Sequence, residues 1–464
     1  MVHTYSLNGI NIVMDVNSGL VHVTSTLVQR IIQLINKDID EGVLSEDNLI
    51  LDTEKIVSEL KNEFELSEIN EAVEEIKELI DEKMLYTPDA YMPYLNEIKE
   101  LKANIKAMCL HVAHDCNLAC KYCFADEGEY KGGMRSLMSL EVGKKALDFL
   151  VESSKGRRNL EVDFFGGEPL MNFDVVKELV AYGRKLEKVH DKNFRFTLTT
   201  NAVLLDDEVT EFLNKEMSNV VLSLDGRKCV NDKMRVTRNG KGSYDVVVPN
   251  IKRFIEKRGD KDYYVRGTFT KNNLDFTNDI KEYLDLGFKN LSLEPVVTTE
   301  SYGIQKEDLD EIMKEYEKLA ILYLEKRKNG KPFTFFHFMI DLDQGPCVIK
   351  RLKGCGSGTE YIAVTPEGDI YPCHQFVGQE DFKIGTVDEG ITGWDIIKSF
   401  KEATVYSKDK CDKCFAKFYC SGGCPANSYN FSKDINKVYE IGCEMQRKRV
   451  ECAIMIKAAE EERE

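Results

Sequence analysis

Fourteen cysteines are spread unevenly along this chain, and their clustering limits what it can fold into. Cys116, Cys120 and Cys123 fall in the run HDCNLACKYCFAD as a CxxxCxxC triplet. A cubane iron–sulfur cluster takes four ligands, usually thiolates. The triplet supplies three and has no fourth nearby, so one iron stays open to something other than protein. An open iron suits chemistry better than electron storage. A zinc site or a set of buried thiols is the alternative reading of the same spacing. Eight further cysteines lie between Cys347 and Cys443, while Cys109, Cys229 and Cys452 stand apart as small core residues.

Composition narrows the rest. At 464 residues, with 42% hydrophobic and 31% charged residues, the chain reads as soluble and globular with two to four domains. A formal net charge of −17 argues against nucleic acid or an anionic membrane as partner. The start MVHTYSLNGINIVMD lacks a basic segment followed by an apolar one, so no signal peptide is expected. No stretch approaches the ~20 apolar residues of a membrane span. A cytoplasmic location follows as an expectation, and in a reducing compartment clustered cysteines mean metal more often than disulfides.

Residues 1–90 read as a small α+β unit. Strand-like alternation runs through HTYSLNGINIVMDVNSGLVHVTS, broken by turns at Asn8-Gly9 and Asn17-Ser18-Gly19. Helical faces follow at Leu27, Ile31, Ile32 and Ile35, then at Ile56, Leu60 and Phe64, and then, after Ser67, at Ile69, Val73, Ile76 and Ile80. Residues 91–104 form a linker. Strands then alternate with helices across 105–305: Lys106–Val112, Leu160–Phe165, Phe194–Thr199, Val220–Leu224, Tyr263–Phe269 and Leu291–Pro295. Six such units make an α/β fold, a partial parallel (β/α)6 barrel. Chemistry in parallel barrels sits at the C-terminal strand ends, where the triplet falls. A connecting helix is placed in 306–344, a cysteine-rich domain in 345–450 and a solvated tail, ending AAEEERE, in 451–464.

The second barrel strand ends in FFGGEPL. Gly166 and Gly167 let backbone approach a ligand closely, and Glu168 adds a carboxylate. The CxxxCxxC spacing, with Tyr122 before its last cysteine, and this GGE element resemble the radical SAM superfamily. The resemblance implies that S-adenosylmethionine (SAM) fills the open iron site and that Glu168 holds its ammonium. Asn201 in TTNAVLL and Ser223 and Asp225 in SLDG are candidate SAM contacts. So are Arg235, which suits a carboxylate, and Glu294 near the adenine's expected place.

Cys355, Cys373, the run CDKCFAKFYCSGGC (Cys411, Cys414, Cys420, Cys424) and Cys443 make a seven-cysteine array resembling the SPASM domain. That resemblance implies two auxiliary [4Fe–4S] clusters, three in all. Cys411, Cys414, Cys420 and Cys443 would hold one; Cys355, Cys373 and Cys424 the other. Either Cys347 completes the second, or an iron stays free for a substrate thiolate. Two zinc sites are the alternative.

Residues 1–90 resemble a PqqD-like winged helix, the recognition element that grips leader peptides on its sheet edge. A structural cap or a DNA-binding winged helix is the alternative, and the acidic stretch 38–82 weighs against DNA. With GCGSGTEYIAVTPEGDIYPCHQF, the whole layout resembles the SCIFF maturases. These join cysteine sulfur to a threonine α-carbon in a Cys-rich ribosomally made peptide. The partners implied are that precursor peptide and a reductant such as flavodoxin or ferredoxin. An anaerobic sulfatase-maturing enzyme, which makes formylglycine, and a non-enzymatic electron-transfer protein are the alternatives. No Ser/His/Asp arrangement points to conventional hydrolysis.

Overall fold

Asn8 and Gly9 set how the chain begins: both have positive φ, 52° and 79°, the backbone of a two-residue hairpin turn. The computed structural model describes residues 1–46, 49–100, 104–130, 134–342 and 347–461. The turn joins β1 (Val2–Leu7) to β2 (Ile10–Asp15), and β3 (Val21–Thr24) pairs antiparallel on β2's other side. Ser25 caps the helix Thr26–Asp40 by accepting from the Val28 N–H. Helices Thr53–Leu60 and Leu66–Asp81 follow. The last starts at a Glu65–Glu68 capping box, which puts Ser67 inside its first turn.

Alternation along β2 gives its two faces different partners. Val13 packs with Ile31, Ile32, Ile69, Val73 and Ile76 in a small separate core. Ile12 and Met14 point the other way, into the main core. Residues 1–90 thus carry their own core yet sit firmly against the rest. Tyr5 donates to the Glu451 carbonyl at 2.9 Å, and the His3 ring stacks on Phe415 at 3.6 Å. In the linker that follows, residues 101–103 lie outside the described residues.

The main sheet begins with β4 (Ala107–His114), whose end pairs with short β5 (Ser136–Leu137). β6 (Asn159–Gly166), β7 (Asn193–Thr200), β8 (Asn219–Ser223), β9 (Tyr263–Phe269) and β10 (Asn290–Pro295) continue parallel to β4. These are the six expected strands, each placed within two residues of its expected ends. β11 (Thr334–Phe335) extends the sheet beyond β10. Burial alternates along each strand. On β7, Phe194, Phe196 and Leu198 are buried while Arg195, Thr197 and Thr199 are not. Parallel sheets usually cover both faces. Here helices cover one face, and the concave face is left as a partly open lumen lined by polar side chains.

The cysteine-rich region is not a detached module. β12 (Tyr361–Val364) pairs parallel with β4, closing the free edge that β4 would otherwise expose. β13 (Asp369–Tyr371), β14 (Gly385–Thr386) and β15 (Gly390–Ile391) add to it antiparallel. The expected boundary between 344 and 345 lies outside the described residues. Of the helix end AAEEERE, expected to be solvated, Ala458 and Ala459 are instead buried. Helix Glu440–Glu461 runs through it, with Cys452, Ala453, Ile454 and Met455 fully buried. It packs on helix Leu309–Lys328, so only the acidic last turn faces water; residues 462–464 lie outside the described residues. Cys109 and Cys452 are buried as expected of core residues, whereas Cys229 is exposed. No helix among the described residues is long and apolar enough to cross a membrane.

Candidate functional site

The loop leaving β4 is held by its neighbours. Gly167 donates to the Ala113 carbonyl at 2.7 Å, and Glu168 N–H to the Asp115 carbonyl at 2.8 Å. A Cβ on Gly166 would lie 2.2 Å from the Ala113 oxygen, and one on Gly167 2.2 Å from the Asp115 oxygen. Gly166 also has φ +130°, a backbone that favours glycine. The space a side chain would take at both glycines belongs to the backbone of β4's end and of the cysteine loop. Their absent side chains press the end of β6 against that loop.

Glu168 is fully buried. Its Oε1 accepts from Leu170 N–H (3.1 Å) and the Thr200 hydroxyl (2.8 Å), and its Oε2 from Asn201 N–H (2.7 Å). Burial raises its carboxyl to about 7, against the pull of these hydrogen bonds. The Asn201 amide donates to Asn117 at 2.7 Å and lies 3.6 Å from Cys116 Sγ. Across the loop, Tyr122 donates to Asp225 at 2.5 Å, Arg235 donates to the Tyr122 hydroxyl at 2.9 Å, and Thr268 N–H donates to Asp225 at 3.0 Å. Arg238, which the motif reasoning passed over, hydrogen-bonds Asp115 and the Cys116 carbonyl.

Thus Tyr122, Glu168, Asn201, Asp225 and Arg235 surround the triplet. Two buried donors there, Arg235 Nε and Asn117 Nδ2, have no hydrogen-bond partner among the described residues. Unpaired buried donors fit a ligand with a carboxylate. Ser223 is set apart on the concave face, in register with Arg266. Glu294 is drawn elsewhere: Arg266 (3.5 Å), His337 (3.2 Å) and Arg449 (3.7 Å) ring its carboxylate. Burial opposes its ionisation, yet His337 and the charges of Arg266 and Arg449 hold it well below the usual range.

The thiols fall into three groups. Burial pushes Cys116 up to about 12, with the Glu168 charge adding to it, and Cys120 up to about 11 against the pull of Arg235. Cys411, Cys414, Cys420 and Cys443 line one cavity of about 680 Å³, with Lys410, Lys417 and Arg447 among its walls. Cys373 and Cys424 are near enough to each other and to Cys355 for their charges to interact. Cys347 is exposed at the start of helix Val348–Lys353. No three His, Cys, Asp or Glu among the described residues converge as on a single ion. Thiols grouped in threes and fours fit multi-iron clusters.

Residues 110–271 match the Radical SAM superfamily, and this segment has the parallel α/β radical SAM fold. The chain is 26% identical over 348 residues to a cysteine-type anaerobic sulfatase-maturating enzyme of Clostridium novyi, covering 69% of this chain and 88% of that protein. Native anSMEcpe with bound AdoMet superposes with a TM-score of 0.63 at 19% identity, covering 76% of this chain and 98% of that one. Streptococcus suis SuiB bound to precursor peptide SuiA gives 0.52 at 18% identity, covering 94% of this chain and 97% of that one.

Proposed function

We propose that this protein is a radical SAM peptide maturase that joins cysteine sulfur to an α-carbon, with threonine as acceptor, in a Cys-rich ribosomally made peptide. Cys116, Cys120 and Cys123 would hold the SAM-binding cluster. Cys411, Cys414, Cys420 and Cys443 would hold one auxiliary [4Fe–4S] cluster, and Cys355, Cys373 and Cys424 the other. Bound there, the cluster and SAM supply one-electron chemistry that removes hydrogen from carbon. The chain's own part is placement. Glu168 offers its remaining lone pair to the SAM ammonium. Arg235 presents Nε to the carboxylate. Tyr122 and Asp225 hold Arg235 in place. Three cysteines on the second cluster leave an iron for a substrate thiolate.

The observation that carries this reading is the cavity walled by Cys411, Cys414, Cys420 and Cys443, beside a three-thiol group that abuts β4. The β1–β3 sheet with its three helices supports leader binding, β3 being an edge strand with Val23 46% exposed. Sulfatase maturation is the second reading, favoured by the Clostridium novyi relative. Coverage favours the first: the anSMEcpe fold spans 76% of the chain and the peptide-bound SuiB fold 94%. Anaerobically reconstituted protein with SAM, dithionite and a precursor peptide bearing a leader and a Cys- and Thr-containing core separates them. Loss of two hydrogens per bond with disappearance of thiol is the expected result. Conversion of thiol to aldehyde indicates sulfatase-type chemistry, and absence of SAM cleavage removes both.

A further inference from the structure

Arg266 stands in the middle of β9, in the run YYVRGTF, at a position whose side chain faces the lumen. A charged residue there would have been visible as a break in an apolar strand, yet no motif includes it. Its register partners on both sides are serines, Ser223 on β8 and Ser292 on β10. Short neighbours leave the guanidinium unshielded, and its side chain is 53% exposed. Among the described residues it has an ion pair with Glu294 at 3.5 Å and no hydrogen bond of normal geometry. Five N–H donors are therefore available.

The charge of Arg266 reaches three walls of the lumen. It acts on Glu294 of β10, on Asp163 of β6 and on His374, which follows Cys373. Asp163 is itself tied to the Thr197 hydroxyl at 2.8 Å, and the His374 ring contacts Phe165 and Phe124 at 5.2 and 5.5 Å. On the same face, Tyr264 meets Phe336 and Met339, two apolar side chains that are 53% and 58% exposed. A free planar donor between the SAM-side residues and Cys373, beside an open apolar shelf, suits an extended peptide. The shelf takes side chains and the donor takes a main-chain oxygen.

Resting on the peptide-maturase reading, we propose that Arg266 is a positioning residue that grips a backbone carbonyl of the peptide core and so sets which α-carbon faces the SAM site. The test uses Arg266→Gln and Arg266→Lys in the full-length reconstituted protein. The lysine variant keeps a cation beside Glu294, so it preserves the local ion pair, but it loses the planar fork. Three probes are titrated: the leader segment alone, the leaderless Cys- and Thr-containing core, and SAM. Both variants should bind the leader as the parent does and the core about ten-fold more weakly, the effect of losing one charge-assisted hydrogen bond. Thioether formed per deoxyadenosine should fall with it. Unchanged core affinity and unchanged coupling overturn the proposal, as does a loss of SAM affinity with core affinity intact. Absence of any thioether from the parent protein refutes the reaction instead, and the core affinities still decide the role of Arg266.

Discussion

Replacing Glu168 by glutamine separates a ligand-binding carboxylate from a structural one. A carboxylate has about four acceptor sites. Leu170, Thr200 and Asn201 occupy three of them, leaving one on Oε2. In Glu168→Gln, an amide oxygen at the Oε1 position still accepts from Leu170 and Thr200. The amide nitrogen then faces the Asn201 N–H, donor against donor. That unsatisfied pair costs about 1–3 kcal/mol of stability. Loss of a charge-assisted hydrogen bond to the SAM ammonium costs a further ~1.5–3 kcal/mol of binding, roughly 10- to 150-fold in Kd. Anaerobic titration of SAM into reconstituted variant and parent reads the second effect, and thermal melting the first. A lower melting temperature with unchanged SAM affinity would refute the ligand role and leave Glu168 as a strut.

The pH dependence of cluster-free protein gives an independent check. Burial raises the Glu168 carboxyl from an ordinary 4.5 to about 7. The protonated form is therefore the one that folding favours. Its stabilisation is fully present below pH 4.5 and is lost as pH rises through 7, to the extent of roughly 3 kcal/mol. The glutamine variant lacks this loss, so its stability relative to the parent should rise between pH 4.5 and 7.

Other outcomes follow from the same geometry. Gly167→Ala drives a Cβ into the Asp115 carbonyl, 2.2 Å away; overpacking and weakened loop hydrogen bonds should cost about 2–4 kcal/mol and lower the iron content after reconstitution. Cys116→Ala should abolish deoxyadenosine formation, whereas Cys420→Ala should impair turnover yet retain some SAM cleavage; equal loss in both would argue against separate cluster roles. Asp89→Ala removes the carboxylate 3.3 Å from Lys417, 5% exposed, and leaves that ammonium only the Asp412 carbonyl among its described hydrogen-bond acceptors. About 2 kcal/mol of docking should be lost, read as faster proteolysis near residues 86–104. Burial opposes Asp89 ionisation, but hydrogen bonds from Tyr406 and the Tyr91 N–H and the Lys417 charge hold its carboxyl low. Its contribution is therefore present above the usual carboxylate range and lost as pH falls through the lowered value.

Much of the site was legible because its parts are local. Cys116, Cys120 and Cys123 lie within one loop, and their spacing alone brings three thiols to one place. The six parallel strands were equally readable, since alternating apolar runs at βα spacing leave few other arrangements. Arg266, Asp163 and Arg449 were missed for the opposite reason. Each is an ordinary charged residue in its own segment and gains meaning only where β6, β9, β10 and the helix Glu440–Glu461 meet. The end of that helix read as solvent-exposed because EEERE is charged, although the run CAIMI before it is apolar on every side, a mark of burial.

From sequence alone, this chain determines its cysteine groups, its parallel α/β core and an N-terminal three-strand, three-helix unit, because these depend on short-range spacing and periodicity. Only the tertiary structure decides that Gly166 and Gly167 pack against the cysteine loop, that Glu294 lies among Arg266, Arg449 and His337, and that β12 completes the edge of β4. Those outcomes depend on which distant backbones and charges come within a few ångströms of each other. Nothing in the spacing of residues along a chain encodes that distance directly.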